Sequence, residues 1–297
     1  MSMYTLYAVQ AGTSPTLKGI VGQDVDPALD LIIRTADGAQ TPTFGGVMRA
    51  TPRVGLETVH VDDALAITGA SGAANSGPVI FSFQLMASGG GRNPASGKKL
   101  TAAAGWFIPR RITASNGQLA TMALDFLGTN STGLVAPFIY ADACPTIATQ
   151  NMAVGFTLGP VKINNTEIAD VISATLDFGI RERYRFASGA PYPSDIIFEE
   201  WIPTLRIRTH ELGSLATYGV TGVSDDVVLY LREKPNHGAV TLEASSAHVK
   251  LTLSQAYITA GPASGRNAQP GEMELTCSAE YDGTNAALLA TYDQAIT

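Results

Sequence analysis

The sequence predicts a mainly β chain made of two tandem β-barrel or sandwich domains, 1–152 and 153–297, each with a short flanking α-helix. Three observations lead there. Glycine (30 residues) and proline (16) punctuate the 297 residues, and such frequent turn formers suit many short strands better than a helical bundle. Apolar residues alternate with polar ones along these runs, the period of a strand with one buried face. Finally, a set of segments recurs in the same order about 151 positions apart, the mark of an internal duplication broken near residue 152. With 45% hydrophobic and 15% charged residues, the chain can pack cores and does not resemble a disordered one.

In the first copy, Asp24–Ile33 joins a turn and an acidic residue to an apolar run. Pro52 opens the next strand, where Val54 and Leu56 alternate with polar neighbours and lead to Thr58 and His60. Asp62–Ile67 then has the length of one or two helical turns. Val79, Phe81, Phe83 and Leu85 point one way and Ser82 and Gln84 the other. Residues 86–99 read as a Gly/Ser-rich insertion, a mobile surface loop carrying Arg92, Lys98 and Lys99. Leu100-Thr101 and Trp106 resume the strands, and Met122–Asn130 ends on Gly128-Thr129-Asn130.

The second copy repeats these features. Glu167–Leu176 is expected to match Asp24–Ile33, and Ile202–His210 to match Thr51–His60, with His60 and His210 equivalent. Glu211–Thr217 would be the second short helix. Asp226–Leu231 answers Pro78–Phe83, and Leu251, Thr252 and Tyr257 answer Leu100, Thr101 and Trp106 at a spacing of 151. Gly283-Thr284-Asn285 answers Gly128-Thr129-Asn130, which implies about four extra residues in copy two. The copies are expected to differ in loops: residues 86–99 against the shorter Lys234–Gly238, and in copy two a longer excursion between Ile180 and Phe198.

That excursion begins Arg181-Glu-Arg-Tyr-Arg-Phe186. In an extended chain, Arg181, Arg183 and Arg185 share one face, and Glu182, Tyr184 and Phe186 the other. Two readings stand: a solvated hairpin edge whose charge prevents mispairing, or an arm that docks on an acidic neighbouring subunit.

The residue types that could carry chemistry fall in turns and on surfaces. Gly91–Lys99 has glycines and lysines, but Lys99 stands where a phosphate-binding loop needs Ser or Thr for magnesium. His60, His210, His237 and His248 include no pair at the i, i+4 spacing of a zinc helix. Ser71, Ser188 and Ser264 have glycine neighbours without forming Gly-x-Ser-x-Gly. Asp62–Asp63, Glu199–Glu200 and Asp225–Asp226 are adjacent, so on strands their carboxylates point to opposite faces. No catalytic, metal or cofactor residue is expected.

The formal charge is −7, with 9 bases and 9 acids in residues 1–152 but 10 and 17 in 153–297, so all the excess acid lies in the second half. A generic nucleic-acid binder would have the opposite sign. Cys144 and Cys277 are too few for a disulfide framework, and the start of the chain lacks a signal-peptide pattern. No run reaches the roughly 20 apolar residues of a membrane helix. Synthesis in a cytoplasm without membrane attachment is the expectation.

Lys162–Gly179 and the ending Met273–Asn285, with its Tyr-Asp-Gly-Thr-Asn, resemble bacteriophage tail tube (major tail) proteins. The resemblance implies a small β-barrel or sandwich with one flanking helix in each copy. It implies a structural virion protein of the tail, made in the host bacterial cytoplasm, and no enzyme. Its partners would be itself, in stacked rings where three double-domain chains imitate six subunits, other tail proteins, and phage DNA passing through the lumen without specific binding. Arg92, Lys98, Lys99, Arg181, Arg183 and Arg185 are the expected inter-subunit contacts. The alternatives are a hub or terminator component of the same fold, or a tandem β-sandwich adhesion module using Trp106 and Trp201.

Overall fold

The computed structural model describes the chain apart from residues 1–3, 13–15, 36–39, 43, 87–91, 143–153, 212, 214–216, 219–221, 262, 265–270 and 282. The boundary expected near 152 and Cys144 lie outside the described residues, as does most of the second expected helix. The first half runs β1 (Tyr4–Ala11), β2 (Ile20–Asp26), β3 (Leu29–Arg34), β4 (Phe44–Ala50), β5 (Arg53–Thr58), α1 (Val61–Thr68), β6 (Ala73–Asn75), β7 (Val79–Met86), β8 (Arg92–Ala102), β9 (Ala104–Ser115), β10 (Thr121–Thr129) and β11 (Phe138–Ala141). The second half runs β12 (Val154–Ile163), β13 (Thr166–Glu167), β14 (Val171–Asp177), β15 (Ile180–Phe186), β16 (Pro193–Trp201), β17 (Thr204–Thr209), β18 (Val223–Pro235), β19 (His248–Ala260), β20 (Met273–Ser278) and β21 (Leu288–Gln294).

The protein is mainly β, as the alternating runs predict. Its antiparallel sheets stay open, and no closed barrel forms among the described residues. The same pairings occur in each half. β2 joins β5, β5 joins β10 and β10 joins β9, while β14 joins β17, β17 joins β20 and β20 joins β19. β1–β7–β8–β11 is likewise answered by β12–β18–β19–β21. The long β19 stands in place of both β8 and β9.

Small hydrogen-bond devices recur with the strands. Thr58 Oγ1 donates to Lys18 O at 2.7 Å and accepts from His60 N at 3.0 Å. Thr209 Oγ1 donates to Ala169 O at 2.7 Å and accepts from Glu211 N at 2.9 Å. Asp26 Oδ1 caps the Ala28 amide at 2.8 Å, and Asp177 Oδ1 the Gly179 amide at 2.9 Å.

The first core is aromatic. Phe126 lies 5.3 Å from Phe81, 4.8 Å from Phe107 and 6.0 Å from Phe138, centroid to centroid. The residues at the matching paired positions of the second half are Cys277, Leu229, Ile258 and Leu288, all buried. The sheets therefore pack alike with different side chains, because a core needs volume and apolarity rather than one residue type.

Helix α1 forms where expected and buries Val61, Ala64, Leu65 and Thr68 at helical spacing. Asp62 and Asp63 in its first turn face the positive end of the helix dipole. Gly69, at φ 61, closes it by donating its amide to Leu65 O at 2.7 Å.

Four expectations are corrected. The strand preceding the hairpin matches at 151, so Asp24–Asp26 answers Thr175–Asp177 rather than the Glu167 region. His60 answers Glu211, because the threonine bond fixes the register, and His210 answers Val59. Leu127 opposite Arg53 answers Ser278 opposite Thr204, so Gly128 matches Ala279 and not Gly283. The excursion after Ile180 is not peculiar to copy two: β3–β4 spans Leu29–Ala50 just as β15–β16 spans Ile180–Trp201. In each case loop composition suggested a match that ladder geometry overrides.

Candidate assembly interface

The two halves meet along one strand pair. Ser173–Asp177 of β14 lie opposite Ser115–Arg111 of β9. Phe178 N donates to Arg110 O at 3.0 Å and Asn116 N to Ile172 O at 2.9 Å, extending the ladder at both ends. The union makes a single 13-stranded sheet that ends, on the first half's side, at β2. Arg111 and Asp177 face each other across the seam at 3.5 Å.

Hairpin β15–β16 folds back over the first half beside this seam. Its alternation is the one expected: Arg181, Arg183 and Arg185 are exposed, and Glu182, Tyr184 and Phe186 are half-buried. Phe198 meets the Trp106 ring edge-on at 4.9 Å, and the Trp106 Nε1 donates to Asp195 at 3.4 Å. Arg110 binds Asp125 at 2.7 Å and takes both oxygens of Glu182, one at 2.9 Å. Burial works against the Arg110 charge, but the two carboxylates outweigh it and raise its pKa. The same burial, reinforced by Glu182, pushes the Tyr184 phenol up to about 12. Main-chain bonds complete the seat, from Ala50 N to Pro191 O at 2.8 Å and from Asn130 N to Pro193 O at 2.9 Å.

Two of the three arginines singled out in sequence, Arg181 and Arg183, find carboxylates on their own hairpin. Arg183 lies 3.1 Å from Glu199, and Arg181 lies 3.7 Å from Glu199 and 3.9 Å from Glu200. Residues 92–99 are not a loop, because β8 begins at Arg92 and pairs with β7, placing Lys98 opposite Phe83 and Lys99 opposite Ser82. The turn itself, 87–91, lies outside the described residues. Lys98 donates to Asp142 at 2.9 Å and sits 5.2 Å from the Tyr140 ring centroid. Bonding to Tyr140 and Asp142 raises its pKa. The basic residues thus divide between two separate sheets.

Sequence reading missed hairpin β3–β4, which places Arg49 5.1 Å from the Phe186 ring centroid but leaves the apolar side chains of β3 exposed. Leu29 is 50%, Leu31 59% and Ile33 62% exposed, whereas Ile180, the counterpart of Leu29, is 8% exposed. Its signal was available: the 151 spacing carries Ile180–Trp201 directly onto Leu29–Ala50.

Two further polar groupings lie elsewhere in the fold. His60, Asp62 and Asp63 bring ligand-type atoms within 4.8 Å of one another, but they form the first turn of α1, where His60 Nδ1 lies 3.5 Å from Asp63. His248 is fully buried and spends both ring nitrogens internally, accepting from Glu233 N at 3.1 Å and donating to Leu242 O at 2.9 Å. No described helix is long and apolar enough to cross a membrane. No family model matches the chain, and no curated protein matches it.

Proposed function

We propose that the chain is a structural tail tube subunit of a phage or phage-derived particle. It comprises two equivalent tube domains, 1–152 and 153–297, and self-assembles into stacked rings of three chains around a channel for DNA. The supporting observation is the β9–β14 seam. It joins the halves head to tail, through different edges of equivalent units, and a head-to-tail contact repeated between chains closes into a ring or runs into a filament. Phage ancestry rests on the resemblance of Lys162–Gly179 and Met273–Asn285.

The face of the shared sheet opposite the core suits a channel wall. Three of its guanidiniums are met by carboxylates: Arg53 by Asp24 and Asp26, Arg111 by Asp177, and Arg208 by Glu272. A wall with most of its arginines paired holds a polyanion only weakly by counterion release, so duplex would slide past it. The adhesion reading loses support, because Trp106 packs beneath Phe198 and Trp201 packs on the core. Electron microscopy of the purified protein is the test. Rings or tubes with three chains per ring uphold the reading; six chains per ring, or monomers alone at high concentration, reject it.

A further inference from the structure

We propose that the outer edge of β2 and the cleft beside it bind an extended segment of a separate polypeptide. The segment adds antiparallel to β2 and carries, in order, a base, an aliphatic residue, a second base and a small residue. The site does not depend on ring formation. Among the described residues β2 pairs with β5 alone and ends the 13-stranded sheet. Its counterpart β14 has the matching inner partner, β17, and a second one, β9. The second half therefore displays the strand that the first half lacks.

The two interiors differ accordingly. Leu176 of β14 is fully buried with Ile112 of β9 opposite it, and Leu231, Val249 and Leu251 are buried as well. By the shared register their counterparts are Val25, Phe83, Lys98 and Leu100. With Tyr140 these four line an open cleft of about 340 Å³, and Val25 is 44% exposed. The cleft is apolar apart from Lys98, whose ammonium is held by Asp142 at 2.9 Å. An aliphatic side chain on a strand added to β2, at the place Ile112 takes beside Leu176, covers this surface.

Backbone and charge define the rest of the ligand. Phe178 N donates to Arg110 O and Asn116 N to Ile172 O, so Leu176–Ile112 and Ala174–Ala114 are the hydrogen-bonded pairs between them. The matching residues, Val25 and Gln23, turn their amides and carbonyls away from β5 toward the open edge. Opposite Gln23 the internal seam supplies the small Ala114. Asp24 and Asp26 share one guanidinium, that of Arg53, at 3.5 and 3.9 Å, which leaves the edge one carboxylate in excess. Arg111 meets Asp177, the counterpart of Asp26, at 3.5 Å. Thr113 marks the position that faces Asp24, so bases in both places suit this edge. A second copy does not fit as the source. Among the described residues, segments 99–102, 111–114 and 206–209 carry a base, an aliphatic residue and then, two positions on, a small one. They belong to β8, β9 and β17, each of which already lies between two strands.

The test uses full-length protein and a capped, fluorescein-labelled peptide of residues 109–117 carrying Thr113→Lys. Its anisotropy titration is expected to saturate, with native mass spectrometry counting one peptide per chain. Ile112→Asp in the peptide, or N-methylation of its Ile112 amide, should each weaken binding at least tenfold. Val25→Asp in the protein should do the same without moving the melting temperature. Asp24→Asn with Asp26→Asn should remove the advantage of the lysine peptide over the one that keeps Thr113. No saturation, or binding indifferent to both Val25→Asp and N-methylation, overturns the site. A peptide that binds only by breaking up oligomers makes a second copy the occupant and overturns the assignment to a separate polypeptide.

Discussion

Arg110 shows how much of the internal seam hangs on one side chain. It holds Asp125 and Glu182, each carboxylate only 14% exposed, beneath the hairpin. Arg110→Ala leaves two partly buried anions facing each other, and the expected loss is about 2–4 kcal/mol, read from the urea midpoint. Arg110→Lys should recover only part of it, because an ammonium cannot fork across two carboxylates. Cys277 makes a quieter prediction. Burial pushes its thiol up to about 12, so the folded state strongly prefers the neutral form. The stability tied to it is fully present below the ordinary thiol pKa of about 8.5 and is lost as pH rises through about 12. At pH 8 iodoacetamide should spare Cys277 in native protein and modify it in urea, as peptide mass mapping would show.

The two hairpins differ as elements although they occupy one place in the pattern. On β15 the arginines lie 66% and 72% exposed beside their glutamates, at Arg183 and Arg181, and exposed pairs contribute little to folding. Replacing Arg181, Arg183 and Arg185 by Ala should move monomer stability by less than about 1 kcal/mol, while shortening tubes if the arm contacts a neighbouring ring. Normal tubes from that variant would remove these residues from assembly. On β3, Leu31→Asp with Ile33→Asp should leave the monomer melting temperature unchanged and abolish rings, as native mass would report. Much of this element level is legible in the sequence: the alternation that fixed the Arg face of β15, the helix after His60, and the Trp106–Tyr257 spacing. The missed parts share a cause. Gly128-Thr-Asn and Gly283-Thr-Asn look alike because turns reuse the same residues, whereas true equivalents such as Phe126 and Cys277 look unlike because both merely fill a core. Residues 92–99 resemble a loop in composition, yet β7 pairs with Arg92, Asn93 and Gly97–Lys99 on either side of an irregularity.

At the scale of the whole molecule, the formal charge of −7 becomes −21 in a ring of three (three times −7), and the channel wall should carry an excess of acid. A density map showing Lys and Arg dominating the lumen would refute that. Native mass spectrometry should find three 31.0 kDa chains per closed ring. The β9–β14 seam has one more consequence. Of six domain contacts around such a ring, three are already made when each chain folds, with no loss of translational freedom on assembly. The remaining three would form between chains and would carry the whole cost of association. Such an annulus would have threefold rather than sixfold rotational equivalence, and an incoming ring would meet three identical orientations instead of six. In such a ring duplication would cut the associations from five to two and would mark three azimuths around the tube, which identical single-domain subunits would not supply.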